Sequence, residues 1–401
     1  MKQRSRALRF GAVAPRSLLL ALPIAVAVSG CTTNGLIDYA MAGAAHPPSH
    51  RGTKVGDREV LAGDLHCHVL PPDASFHVSR ELPETVALAE REGLDFVVLT
   101  PHVHARFYAD AELRAWTQAA LAELRERARA TRTDVSILPG FEYTDYAWGH
   151  VGASFADLDA VLADVPLAEA VARPELFFEQ WLAHGGHLTI NHPLLRPLAV
   201  APVGELRADL SWRGFRPDAP PEIAWITRHA QAIETENLEV AQLRDRLFLG
   251  DEDRSLRAAS RLLDETVHAQ QRPIAAVGGS DSHGHWLRPD TFVLAKERTP
   301  QAIASALREG RTCVKAPGAC TLEARVPGGP WRGVGDALAG DVIELRARGA
   351  SVTLLVGGAA PRAGGSAPVR VEVPRDRCTL VRAVVDESWS SPIYVNCGFA
   401  R

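Results

Sequence analysis

An α/β barrel followed by a small β-sandwich-like domain is the predicted fold, and three observations predict it. Short β-branched runs alternate with helical patterns from about residue 58 to 315, short alternating runs without helices follow, and His, Asp and Glu recur just after successive strand candidates. With 46% apolar and 23% charged residues among 401, the chain can bury a sizeable core, which excludes collagen-like, disordered and multi-span membrane classes. Its 44 basic and 48 acidic residues are unevenly spread, because Lys2, Arg4, Arg6, Arg9 and Arg16 all precede the first acid. The rest of the chain is acidic and carries no electrostatic footprint for a nucleic-acid backbone, so no nucleic-acid partner is expected.

Taken in order, the basic start opens onto an apolar stretch at 17–28 (SLLLALPIAVAV), broken by Pro23. A bilayer span needs about 20 residues, so this stretch reads as the core of a secretory signal over residues 1–30. The tetrapeptide Val28-Ser29-Gly30-Cys31 resembles the lipobox of bacterial lipoproteins. That resemblance implies lipidation of Cys31 and a membrane anchor there. Thr32, where Asp would favour inner-membrane retention, implies an outer-membrane anchor facing the periplasm. The alternative is a soluble secreted protein with an incidental cysteine. Residues 31–57, rich in Gly, Ala, Pro and Ser, read as a flexible tether.

The barrel is expected over 58–315, with strands at 60–65, 95–99, 135–139, 187–190, 233–236 and 273–277. Helical patterns stand between them at PETVALAEREG and over 110–130. Residues 194–222, with several prolines and Trp212, fit no period and read as an insertion, a candidate lid. Beyond 315, VIELRARG, SVTLLVGG, VRVEV and TLVRAVV predict a β-rich domain over 316–401 with a structural or docking role. Cys313, Cys320, Cys378 and Cys397 cluster in about the last 90 residues; export makes at least one disulfide plausible, and the pairing stays open.

The chemistry lies at the strand ends. Asp64-Leu65-His66-Cys67-His68 closes the first strand, with Asp73 five residues on; His102 follows DFVVLTP, Glu142 follows LPGF, His150 opens HVGASF, His192 follows LTIN, and Asp281 and His283 close VGGSDSH. In a parallel barrel the carboxyl ends of the strands share one mouth. Nine groups then converge: His66, His68, Asp73, His102, Glu142, His150, His192, Asp281 and His283. For any one histidine a hydrogen-bonded core or loop role is the better reading. His66 and His68 differ because residues i and i+2 of a strand share a face, and Asp281 and His283 repeat the spacing. Imidazole with carboxylate suits Zn, Mn or Fe, so two or three divalent ions are expected.

The ordered series GDLHCH, GLDFVVLTPH, PGFE, GHV, NHP and GSDSH resembles the PHP (polymerase and histidinol phosphatase) superfamily over about residues 63–283. The leader and a β domain ending in SPIYVN further resemble its exported carbaryl hydrolase-like branch. The resemblance implies a distorted (β/α)7 barrel and three metal sites. The first would use His66, His68, Glu142 and Asp281; the second Glu142, His150 and His192, with Glu142 bridging; the third Asp73, His102 and His283. Family members usually read Thr-Asp-His where this chain has Thr100-Pro101-His102, so a carboxylate near the third site is missing, and His104 is the expected partial substitute.

The expected reaction is metal-dependent hydrolysis of a small-molecule substrate, a phosphate ester first, with a hydroxide bridging two ions as nucleophile and Glu142, His192, Asp281 and His283 at the reacting centre. A carboxyl-ester, amide or carbamate substrate is the alternative, and a catalytically impaired, lipid-anchored binding protein is the alternative of another class. No G-x-S-x-G elbow, P-loop or Rossmann fingerprint is present. Cys67, between two inward ligands, points outward into packing. Of Glu234 and Glu236, both at a strand end, one is expected to orient a metal-bound histidine from behind. Asn191, Arg106 and Tyr143 are the weaker candidates for substrate contact.

Overall fold

The computed structural model describes residues 50–75, 77–193, 198–200, 204–206, 211–238 and 252–399. The leader, Cys31 and the expected tether up to residue 49 lie outside the described residues. The end of that tether is not free chain. His50 is fully buried, its Nε2 2.7 Å from Asp95 Oδ2, and a two-residue strand at Lys54–Val55 pairs with the first long strand. The folded domain therefore includes at least residues 50–57, which composition alone assigned to a linker. Among the described residues no helix is long and apolar enough to cross a membrane.

The strands that position the site are labelled in chain order: β1 Arg58–Cys67, β2 Phe96–Leu99, β3 His102–His104, β4 Ser136–Pro139, β5 Phe141–Asp145, β6 Gly149–Ser154, β7 His187–Ile190, β8 Ala232–Asn237, β9 Ala275–Gly279, β10 Thr291–Ala295 and β11 Thr312–Val314. The fold is mixed α/β, and two arcs of sheet wrap one apolar interior. One arc runs β10-β1-β2-β4 and the other β9-β8-β7-β6-β5-β3. The parallel pair β2 and β4 bends at Pro101 and Gly140 and continues as the parallel pair β3 and β5 in the other arc. At the opposite seam β1 meets β9 through a parallel bridge between Cys67 and Ser282. Leu61, Leu65, Phe96, Val98, Leu138, Ala275 and Val277 fill the space between the arcs.

Pairing is not parallel throughout, as strand–helix alternation had suggested. β6 runs antiparallel to both β5 and β7, and β10 antiparallel to β1. A hairpin at Asp145–Gly149 replaces the crossover helix, so β6 starts at the rim where its neighbours end. His150, second in β6, reaches the same mouth as the other strand-end groups for that reason.

Helix α1 (Leu82–Arg91) starts with a reciprocal capping box between Glu81 and Glu84, and α2 (Ala111–Ala130) with an Asp110 cap accepting from the Glu112 and Leu113 amides. In the insertion, 198–200 and 204–206 form a two-stranded hairpin. Trp212 is buried and donates its indole N–H to Thr227 Oγ1 on α3 (Pro221–His229), which fastens that end of the insertion to the helix.

The C-terminal region is β-rich, with strands at Val342–Arg346, Val352–Val356, Val369–Glu372 and Thr379–Val385 where the alternating runs predicted them. It is not hung on a linker. β11 pairs with β10 on one side and with the strand Ser388–Ser390 on the other, so one sheet crosses the expected boundary at 315. Val60, Ala62, Phe292 and Leu294, on the outer faces of β1 and β10, share a core with Ile343, Leu345, Leu354 and Val381. Disulfides join Cys313 to Cys320 and Cys378 to Cys397.

Candidate metal centre

β1 delivers His66 and His68 side by side, both buried, with their Nε2 atoms 3.3 Å apart. Two imidazole nitrogens that face each other in a dry site need either a proton or a cation between them. Around His66 Nε2 stand Glu142 Oε1 at 3.0 Å and Asp281 Oδ1 at 3.2 Å, and Asp281 Oδ1 is also 3.1 Å from His68 Nε2. Ligands held at about 2.1 Å from a tetrahedral ion lie about 3.4 Å from one another, so this spacing suits a shared cation. Ligand atoms within 4.8 Å of one another form four groups: His66, His68 and Glu142; His66, His192 and Asp281; Glu142, His150 and His192; and His68, His102 and His283.

Glu142, buried on β5, is common to two of these groups. Its Oε1 faces His66 Nε2 and His192 Nε2, the latter at 3.5 Å, while its Oε2 faces His150 Nδ1 at 3.2 Å and His102 Nε2 at 3.5 Å. Asn191 donates Nδ2–H to Oε1 at 2.9 Å, and the Glu142 amide donates to the Pro101 carbonyl at 2.9 Å. The Thr100-Pro101-His102 sequence thus contributes a backbone acceptor that seats Glu142 rather than a side chain.

Four imidazoles are engaged from behind at Nδ1. Glu234 Oε1 takes His66 Nδ1 at 3.1 Å; Asp73 takes His68 Nδ1 at 3.3 Å and His102 Nδ1 at 2.8 Å; the Asp281 carbonyl takes His283 Nδ1 at 2.7 Å. A neutral imidazole has one N–H, so a proton fixed at Nδ1 leaves the Nε2 lone pair directed to the common centre. Among the described residues, two buried nitrogens, His150 Nε2 and His192 Nδ1, have no hydrogen-bond partner. This donor set of imidazoles and two inward carboxylates fits divalent Zn, Mn or Fe.

Two of the nine sequence-predicted ligands change place. Asp73 does not join a ligand group: it sits behind His68 and His102, and its other contact is with the His102 amide. His68 accordingly replaces it beside His102 and His283 in the third group. His104, the expected substitute, is exposed, with Nδ1 2.7 Å from the Ala105 carbonyl at the frayed end of β3. Glu234 stands behind His66 and also accepts from the His192 amide at 2.6 Å. Glu236 does not face the centre. A register shift between Glu234 and Glu236 on β8 breaks the two-residue alternation, and Glu236 meets Lys315 Nζ at 3.1 Å. Cys67 is buried on the far face of β1, and burial pushes its thiol up to about 12, which suits packing and not nucleophilic attack. Arg106 pairs with buried Glu222, its backbone N–H donating to the Tyr143 hydroxyl, so both shape the mouth around α3.

Three residues escaped the sequence reading. Asn237 donates to Glu234 Oε2 and to Asp281 Oδ2, tying the two carboxylates together; its position at the end of IETEN was the available signal. Arg80 is wholly buried behind His68 and Ser282, and His77 stands over His102 and His283. Both lie in the irregular 71–80 loop, where no period marks a residue. Close approach also fixes Gly279: a Cβ there would lie 2.4 Å from His66 Cβ and 2.5 Å from Glu234 Oε1. His192 and Asp281 both adopt positive φ, at 26° and 53°, a conformation that costs about 1–3 kcal/mol and is held by surrounding contacts at functional sites.

Burial disfavours every charge here, yet Asp281, Glu142 and Glu234 together raise His66 well above the ordinary histidine range. Glu142 is held well below the carboxylate range despite burial, by His150 and His66. Burial with the neighbouring His102 and His283 lowers His68 to about 4, so it is neutral near pH 7. Loading an ion-free protein must therefore displace the His66 proton. Titration calorimetry of Zn in two buffers of different ionisation enthalpy should show about one proton released with the first ion, and tighter binding at about pH 8 than at about pH 6. Binding that takes up no buffer signal and ignores pH would contradict this arrangement.

Comparison with known proteins gives the following. A family model described as capsular polysaccharide synthesis, CpsB/CapC, matches residues 62–149. No curated protein matches the chain. A two-domain protein from Bacteroides vulgatus, described as containing a predicted PHP-like metal-dependent phosphoesterase, is similar in structure at 16% identity and TM-score 0.41, over 88% of this chain and 98% of that one. PsfC from Pseudomonas syringae is similar at 17% identity and TM-score 0.37, over 62% and 87%. The lesion-specific endonuclease PfuEndoQ of Pyrococcus furiosus is similar at 14% identity and TM-score 0.34, over 62% and 56%.

Proposed function

We propose that this protein is a metal-dependent hydrolase of small-molecule phosphate esters, exported and lipid-anchored at Cys31 on the periplasmic face of the outer membrane. The observation that carries the hydrolase reading is the set of four imidazoles held at Nδ1 by Glu234, Asp73 and the Asp281 carbonyl, three of which, His66, His68 and His102, turn Nε2 toward Glu142 or Asp281. The export part rests on the leader and its lipobox-like Cys31.

His66, His68, Glu142 and Asp281 would hold one cation and Glu142, His150 and His192 a second; the one Nε2 lone pair of His68 cannot serve two cations, so beside it His102 and His283 would offer a third only their own nitrogens. Bound there, divalent cations polarise the scissile ester and lower the pKa of water. Everything else falls to the chain. The two Glu142 oxygens face different imidazole sets, so this one carboxylate would serve two cation positions. Asn191 and the Pro101 carbonyl keep that carboxylate from turning. His102, the most exposed of the group at 21% of its side chain, marks the side from which substrate enters. Phosphate is favoured over carboxylate because phosphoryl transfer spreads negative charge over several oxygens, which several adjacent cation sites can meet at once.

The test is the metal-loaded protein assayed on para-nitrophenyl phosphate, bis(para-nitrophenyl) phosphate, and a carboxyl and a carbamate aryl ester. Phosphate-ester cleavage exceeding ester cleavage by about a hundredfold or more in kcat/KM is expected, some 2.7 kcal/mol of differential transition-state binding. The reverse preference would transfer the assignment to the carbaryl hydrolase-like reading, and bound metal without turnover to a binding protein.

A further inference from the structure

We propose that the end of the barrel away from the metal mouth binds a small amphipathic organic anion, with Arg129 and Arg308 receiving its charged head. The inference does not depend on the metal-centre reading. β4 and β7 run toward the mouth and β6 runs away from it, so the segments that precede β4 and β7 and the segment that follows β6 meet at the far end. A cavity of about 520 Å³ opens there, between the last turns of α2, β4, the turn at Phe155–Asp157, His184 with Gly185, and the helix Pro300–Arg308. That volume lies within the range of small-molecule sites, about 300–1,000 Å³.

The walls are apolar and the rim is basic. Val135, Ile137, Leu138, Phe155 and Ala304 line the space, with Arg125, Arg129 and Arg308 against a single acid, Asp157. That acid is already matched: Arg125 pairs with Asp157 at 2.8 Å and also with Asp159, and His184 pairs with Asp164 at 2.8 Å. Among the described residues Arg129 has no hydrogen-bond or acidic partner, and Arg308 has only the Gly185 carbonyl at 3.3 Å. Two guanidiniums without a counter-charge beside apolar walls select a molecule that is anionic at one end and apolar along the rest. An inorganic anion would leave the walls uncovered, and a neutral hydrocarbon would leave the guanidiniums unmatched.

The backbone adds hydrogen-bonding capacity at the same place. β4 is the last strand of its arc, and among the described residues no strand pairs with its other edge. The Ser136 and Gly140 amides donate to the Asp95 and Leu99 carbonyls on the β2 side, both at 2.9 Å. Alternation along a parallel strand therefore turns the Ile137 N–H and C=O to the open edge, which the cavity borders. Behind Phe155, whose ring centre is 6.2 Å from its own, buried His187 has an Nε2 without a hydrogen-bond partner among the described residues. Unmet polar atoms thus stand on two sides of the apolar space.

Titration calorimetry of the full protein with octanesulfonate tests this, with 1-octanol and sulfate as the counterparts that lack the charge and the tail. One saturable octanesulfonate site per chain is expected, with each counterpart bound about tenfold or more weakly. The double variant Arg129→Ala/Arg308→Ala should weaken octanesulfonate by about tenfold or more through lost charge-assisted hydrogen bonds, and Arg362→Ala/Arg370→Ala in the C-terminal region should leave it unchanged. All four arginines are exposed, so neither variant removes core packing. Equal affinity in the parent and the Arg129/Arg308 variant would place the anion elsewhere, the metal centre included, and overturn the proposal. An equal loss in both double variants would reduce the effect to net charge, and octanol bound as tightly as octanesulfonate would reduce the site to an apolar groove; each overturns it, as does the absence of saturable binding in the parent.

Discussion

Glu142→Gln is expected to empty at least two cation positions and to lower hydrolysis by about a thousandfold or more, while the protein stays folded. The substitution keeps the shape of the side chain but removes the one carboxylate that faces four imidazoles, at 3.0–3.5 Å from His66, His150, His192 and His102. A neutral amide is a poor ligand for Zn or Mn, and if its Oε1 accepts from Asn191 Nδ2–H its NH2 is turned toward the imidazoles that faced the other carboxylate oxygen. Asp73→Asn is the informative comparison. Because Asp73 grips two rings from behind, its loss should weaken metal affinity by only about 10–100-fold, the usual effect of an orienting partner, and leave residual turnover at saturating metal. Ion counts by elemental analysis and initial rates over a metal titration separate the two. Glu142→Gln protein that retains its ions and its rate would show that the bridging assignment is wrong.

That pair of variants also marks how far the site was legible in the sequence. His66 with His68 could be read from strand period alone, and Glu142, His192 and Asp281 from their positions one or two residues past apolar runs. Chain position says that a carboxylate is at the mouth, but not whether it faces a cation or the back of a ring. Asp73 was assigned to the front for that reason. Glu236 was lost to a β-bulge, an irregularity that adds no residue type a pattern can register. His150 was found although the expected topology was wrong at that strand: the antiparallel turn at Asp145–Gly149 brings a strand start, not a strand end, to the rim.

For the fold, the six predicted barrel strands and the four β runs beyond 315 are present because their apolar spacing is local information. The shared sheet through β11 and the docking of His50 on Asp95 are not local: each depends on a partner more than forty residues away in the chain or on a second domain. Composition placed 50–57 in a tether because the segment as a whole is rich in Gly, Ala, Pro and Ser, yet one buried imidazole and one short strand pairing hold this end of it.

Arg80→Met is expected to be the most destabilising single change outside the apolar core. Arg80 is wholly buried, and among the described residues its partners are neutral acceptors: Thr85 Oγ1 at Nε, Ser282 Oγ and the Gly284 and Trp286 carbonyls at Nη1, and Cys67 Sγ with the His68 and Ser282 carbonyls at Nη2. One guanidinium thus joins the end of β1, the start of α1 and the 282–286 loop, which together carry His68, Asp281 and His283. Methionine fills similar volume but donates nothing, so four buried carbonyls each lose a donor, three of them keeping a second one from Ser282 Oγ or the His68 amide, and the loss of this buried charged hydrogen-bond set is expected to cost roughly 3–5 kcal/mol. In thermal unfolding that is a loss of about 5–10 °C. The damage should also be local: ion occupancy at His68, His102 and His283 should fall before that at Glu142, His150 and His192, whose supports lie on β5, β6 and β7. Arg80→Lys, able to restore some donors but not the forked set, should recover part of the stability. A melting temperature within about 1 °C of the parent and an unchanged ion count in Arg80→Met would show that the loop is held by its own packing.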